Sequence, residues 1–103
     1  MTALYEKIAQ RAKQLEGETA SFLMDMVRVP SFSGKEKGVI EVIKAEMEKV
    51  GFDEVRIDGL GNVIGRIGNG PKVIAFDAHI DTVYPGDMSL WDFDPFTPKI
   101  EDG

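Results

Sequence analysis

The sequence has no cysteine, one histidine and one tryptophan in 103 residues. Without cysteine there can be no disulfide and no thiolate metal site, which fits a reducing compartment. No apolar run approaches the ~20 residues of a membrane-spanning helix, so no membrane partner is expected. The opening residues, Met-Thr-Ala-Leu-Tyr-Glu-Lys, lack the basic stretch and apolar stretch of a signal peptide, and the expected setting is cytoplasmic. Positive charge is in short supply: 12 Lys and Arg stand against 18 Asp and Glu, a formal net charge of -6. A polyanion would meet net repulsion, which disfavours a nucleic-acid partner. There is no repeat, low-complexity segment or linker, and the length bounds the chain to one ordinary domain with a modest core.

What is present reads as α/β. Leu4, Ile8 and Leu15 recur at helical spacing, and Phe22, Leu23, Met26 and Val27 continue it. Thr2 suits a helix cap, Gly17 weakens the middle and divides the helix, and Pro30 ends it because Val29 before a proline avoids helical dihedrals. "SGKE" (33–36) has the form of a capping box, with Ser33 bonding the amide three residues on and Glu36 reaching back. Val39, Ile40, Ile43, Met47 and Val50 make one stripe of the next helix, and Gly51 suits the left-handed position after it. "EVRID" (54–58) and "NVIGRI" (62–67) read as strands around a "GLG" turn. "KVIAF" (72–76), apolar on both faces, reads as a central strand covered on both sides. The order predicts helices packed on a sheet. Asp102-Gly103 is a hairpin signal with no strand after it, and a fragment of a longer chain is the expectation.

The chemistry concentrates in "DAHID" (77–81). Side chains two apart on a strand share a face, so Asp77, His79 and Asp81 would project together from the carboxyl end of the most apolar strand, where α/β sheets place their ligands. Two chemistries suit the arrangement. In one, His79 binds a metal through one ring nitrogen while a carboxylate takes the other N–H. In the other, Asp81 orients His79 as a general base, with Ser31 or Ser33 the nearest nucleophile by type. The plain alternative is a strand-end histidine bonded to a nearby acid. A zinc site needs three or four protein ligands. Asp87, Asp92 and Asp94 sit in loops and read as turn formers, so a metal would take its other ligands from beyond Gly103. Trp91 and Phe96 either line the approach or pin the loop.

"HIDTVYPGD" (79–87), "WDFDPF" (91–96) and "IEDG" (100–103) together resemble the zinc-dependent aminoacylase, deacetylase and carboxypeptidase family. That family includes acetylornithine deacetylase, succinyl-diaminopimelate desuccinylase and the glutamate carboxypeptidases. Its pattern runs G-H-x-D-V-V-P-x-G-D, then W-x-x-x-P-F, then D-G before a glycine-rich segment. "RVPSFSGKEKGVIEVIKAEMEKVGF" resembles the family's opening. "GNVIGRIGNGPKVIAFDAHIDTV" looks closest to the YgeY-type subgroup, described as selenium-metabolism-linked hydrolases. The likeness covers essentially the whole chain. Ala78 stands for the usual glycine, and Thr82 and Tyr84 for Val and Pro, which alters backbone room and loop shape.

The resemblance implies that His79 is a zinc ligand of a two-zinc site and that Asp81 is the active-site aspartate holding its imidazole. Asp77 matches no family role and is carried as a candidate support for the ligand. Residues 1–103 would be the N-terminal part of a zinc-peptidase-like catalytic domain, with helices on a mixed sheet. A bridging aspartate, a Glu-Glu pair, a further acidic ligand, a late histidine and a lid domain that carries homodimerisation would lie after Gly103. The implied activity is metal-assisted cleavage of amide bonds in small peptides or N-acyl amino acids, with zinc, or cobalt or manganese in its place. The fragment alone is expected to be inactive. A non-catalytic α/β interaction domain is the alternative.

Overall fold

Three amphipathic segments and one hairpin account for the regular structure. The computed structural model describes residues 2–103. Helices α1 (Thr2–Gln14), α2 (Glu16–Val27) and α3 (Lys37–Val50) precede strands β1 (Glu54–Ile57) and β2 (Val63–Arg66), and one 3₁₀ turn follows at Met88–Leu90. Thr2 is itself helical rather than a cap outside the helix. The break between α1 and α2 falls at Leu15, two residues before Gly17. Leu15 keeps near-helical dihedrals and its N–H is shared between the carbonyls of Arg11 and Ala12, both at 3.1 Å. Glycine weakens a helix without obliging it to break, and Gly17 stays inside α2. Pro30 ends the run as expected, two residues past the Arg28 cap.

The core belongs to α3. Val39, Ile40 and Ile43 are its buried apolar residues, and α3 packs on α2, β1 and β2. Gly51 closes the helix at φ +88°, with its N–H donating to the Glu48 carbonyl and that of Phe52 donating to Met47. This paired pattern needs a left-handed residue, which glycine supplies at no steric cost. The chain then turns directly into β1.

β1 and β2 pair antiparallel, with Glu54 opposite Arg66 and Ile57 opposite Val63. The turn between them is built on one carboxylate. Asp58 accepts from the Leu60 and Asn62 amides and from the Asn62 side chain, each at 2.9 Å. These donors, the Asn62 side chain first, hold the Asp58 carboxyl below its ordinary range. On the face toward α3, Gly65 has no room for a side chain. A Cβ there would lie 2.5 Å from the Phe52 ring and 2.8 Å from the Met47 sulfur.

Two expectations are corrected. Residues 72–76 do not form a central strand; they carry no sheet pairing, and Val73, Ile74 and Phe76 are 74, 81 and 95% exposed. Apolar alternation marks a segment fit for burial, but a strand exists only where a neighbour completes its ladder, and none of the described residues does so. The sheet is accordingly two-stranded and antiparallel rather than mixed, with one isolated parallel bridge between Phe32 and Thr82. The radius of gyration is 16.7 Å, against about 13 Å for a compact domain of this length, so much apolar surface stays uncovered. Among the described residues no helix is long and apolar enough to cross a membrane.

Gly65→Ala is expected to cost about 1–3 kcal/mol by overpacking the α3–hairpin contact, read as a lower denaturant midpoint. The hairpin is also acid-sensitive. The Asp58 carboxyl lies below its unfolded value, so its contribution is present above the ordinary carboxylate range and is lost as pH falls through the folded value. Protection of the amides of residues 58–62, taken relative to their intrinsic exchange rates, should fall over that acid interval, and Asp58→Ala should remove that fall.

Candidate functional site

Pro30 fixes the chain as it leaves α2, and the next three residues run alongside residues 80–82. The Ser31 carbonyl accepts from the Thr82 amide at 2.9 Å. The Ser31 hydroxyl donates to the Ile80 carbonyl at 3.0 Å, and Ser31 is only 4% exposed. Phe32 stacks on Tyr84, with ring centroids 3.8 Å apart, and meets Phe96 edge-on at 6.1 Å. The segment that carries the single histidine is thus held by hydrogen bonds to a serine and by aromatic contacts.

On that segment, His79 Nδ1 lies 3.0 Å from both the carbonyl oxygen and Oδ1 of Asp81. Two acceptors facing Nδ1 favour a proton there, and in a neutral ring that leaves Nε2 with the lone pair. The other carboxylate oxygen, Oδ2, accepts from the Ser33 hydroxyl at 2.6 Å. The Ser33 bond first, and the His79 bond second, hold the Asp81 carboxyl below its ordinary range. The imidazole is 85% exposed and the carboxylate 42%. At such exposure the pair adds little to stability, and its effect is on orientation.

Serine 33 is where sequence reasoning went astray. It does not cap α3. Glu36 begins that helix without a side-chain cap bond, and its carboxylate accepts from the Gly34 amide instead. Gly34, at φ +81°, turns the chain between them. Ser33 and Asp81 are 48 positions apart, and no local pattern links residues at that distance.

His79 and Asp81 are brought together without the strand that was expected to present them. Asp77 makes no hydrogen bond or ion pair with either among the described residues. Asp87 accepts from the amide and hydroxyl of Ser89, and Asp94 from the Phe96 amide and the Thr97 hydroxyl, so both act as turn formers. Among the described residues, no three His, Asp or Glu side chains converge on a point where a metal ion could sit. The serine hydroxyls are committed to Ile80 and Asp81 rather than to the imidazole, so no nucleophile–base contact forms.

The pair lies on the wall of two open clefts of about 610 and 590 Å³. The first mixes polar groups, Lys35, Glu36 and Asn62 among them, with the apolar Ile40, Ile57 and Leu60. The second is mainly apolar, with Leu23, Met26, Trp91 and Phe96. Trp91 both lines this cleft and pins its loop, since its indole N–H donates to the Pro85 carbonyl at 3.0 Å.

Comparison with known proteins gives a partial match of high similarity. Over 92 residues, 89% of the chain, it is 53% identical to the uncharacterized protein YgeY of Escherichia coli (strain K12), covering 23% of that protein. It is 36% identical over 83 residues to a succinyl-diaminopimelate desuccinylase of Cereibacter sphaeroides (strain ATCC 17029 / ATH 2.4.9), covering 77% of the chain and 22% of the relative. It is 30% identical over 93 residues to a succinyl-diaminopimelate desuccinylase of Rhodopseudomonas palustris (strain BisA53), covering 84% and 24%. The chain spans less than a quarter of the length of these curated relatives. No family model and no solved structure matches it.

Ser31→Ala should cost about 0.5–1.5 kcal/mol, the net worth of one hydrogen bond. Urea unfolding measures the loss, and faster hydrogen exchange at the Thr82 amide would locate it at the 31–82 contact.

Proposed function

We propose that this chain is the N-terminal part of the catalytic domain of a metal-dependent hydrolase that cleaves amide bonds in small peptides or N-acyl amino acids. The observation that carries the reading is the His79–Asp81 pair. Its Nδ1 faces a carboxylate at 3.0 Å and its ring is largely exposed, the preparation a neutral histidine needs to offer Nε2 to a metal. The similarity to proteins named desuccinylase supports the reaction class. The exposed run Val73 to Phe76 supports a larger catalytic domain, since a segment so apolar suits a strand with neighbours supplied by the rest of the protein.

The donor set fits zinc, with cobalt or manganese as alternatives, for one ligand of the three or four required. His79 would hold the ion through Nε2, and the remaining ligands would come from the rest of the protein. A pair of zinc ions supplies an acidified water and a polarised carbonyl when bound. The work of this chain is to aim and sharpen one ligand. Asp81 fixes the tautomer of His79, limits rotation of the ring and raises the basicity of Nε2. The apolar cleft beside the pair offers a surface for the acyl or side-chain part of a substrate. The proposed protein is a homodimer through a separate lid domain and works in the cytoplasm.

Metal analysis of the full-length protein tests the reading. Zinc is expected, His79→Ala should lower its content at one site, and Asp81→Ala should weaken binding by about 10–100-fold and lower turnover of N-acyl amino acids. A full-length protein free of transition metal, or full activity in both variants, would overturn the assignment. Residues 1–103 alone should show no turnover.

A further inference from the structure

We propose that Ser33 is a positioning residue for the site, fixing through Asp81 the tautomer and direction of the His79 ring. The inference rests on the reading of His79 as a ligand for its purpose, but its geometry stands apart from any metal. A carboxylate held by one hydrogen bond can still turn about its Cβ–Cγ bond. Here Oδ1 faces His79 Nδ1 at 3.0 Å, and the turn is arrested at the far side by the Ser33 hydroxyl on Oδ2 at 2.6 Å. Both ends of this arrangement are anchored. Ser33 lies two residues from buried Ser31, which bonds the Ile80 carbonyl, and the Ser31 carbonyl takes the Thr82 amide. The backbone on either side of Asp81 is therefore tied to the strand-like stretch that bears Ser33. The hydroxyl is also free for this task, since it caps no helix and α3 begins without it. Its side chain is exposed, so it contributes little to the core.

His79 is the single histidine of residues 1–103, and in the full-length protein its ring signals are identified by their loss in His79→Ala. Two-dimensional ¹⁵N–¹H spectra of the imidazole, recorded at about pH 9 where imidazoles are neutral, report which ring nitrogen carries the proton. The full-length protein, stripped of metal with a chelator, is expected to favour the Nδ1–H form. Ser33→Ala should move the tautomer ratio toward Nε2–H by about three- to tenfold, the size of one net hydrogen bond. Ser33→Thr, which restores the hydroxyl, should return it. Backbone amide spectra of α3 and the hairpin serve as the fold control, and if Ser33→Ala does not fold, the weaker donor in Ser33→Cys should give an intermediate ratio. An unchanged ratio in Ser33→Ala, or an equal shift in Ser33→Thr, overturns the proposal. Zinc analysis of the same full-length samples separates the two readings. A protein that holds no zinc as isolated yet shows the Ser33 effect defeats the metal assignment alone, and one that holds zinc as isolated but lacks the effect once the metal is stripped defeats the Ser33 assignment alone.

Discussion

A carboxylate has two oxygens, and the candidate site depends on Asp81 having both engaged. One oxygen faces the imidazole and the other takes a serine hydroxyl, and the two partners come from opposite parts of the chain. Without the serine hydroxyl the carboxylate is free to turn away, and Nδ1 keeps only the Asp81 carbonyl as a fixed acceptor. The arrangement is solvent-exposed, so it contributes little to holding the fold. Its value is directional: a soft, rotatable side chain is converted into one with a defined donor and a defined lone pair.

The rest of the structure is organised to bring those partners together. Helix α3 supplies the buried stripe, and the absence of a side chain at Gly65 lets the hairpin approach its C-terminal end. Proline 30 turns the chain out of α2 into the stretch that meets residues 80–82. Burial anchors this contact at Ser31, and aromatic stacking extends it from Phe32 to Tyr84. By contrast α1 has no buried residue, and the run from Val73 to Phe76 is open to solvent. The chain therefore has a small buried centre, with apolar residues of α1 and of 73–76 left exposed.

Local features were legible in the sequence because their causes are local. The α3 stripe, the left-handed glycine after it, the two strands and the stop at Pro30 each follow from spacing or from the dihedrals of a few neighbouring residues. His79 and Asp81 were legible as a pair because they lie two positions apart, and they still meet although the strand proposed to carry them is absent. What could not be read were the features decided by partners far along the chain. Residues 72–76 have the composition of a central strand, but pairing is a property of two segments. Ser33 has the spacing of a cap, yet its hydroxyl finds a stronger acceptor in an ionised carboxylate. The break at Leu15 rather than Gly17 shows the limit of propensity, which ranks residues but does not locate an interruption.

The bridge from Phe32 to Thr82 also sets an order of events in folding. Helix-forming segments close their contacts within a few residues, and a hairpin needs only a short turn. The contact between Ser33 and Asp81 must instead close a loop of 48 residues, an entropy cost that only long-range contacts can repay. Ser33 and Asp81 can meet only after that long loop has closed, so the pair that orients the histidine depends on the contacts at Ser31 and Phe32 that hold the two segments together.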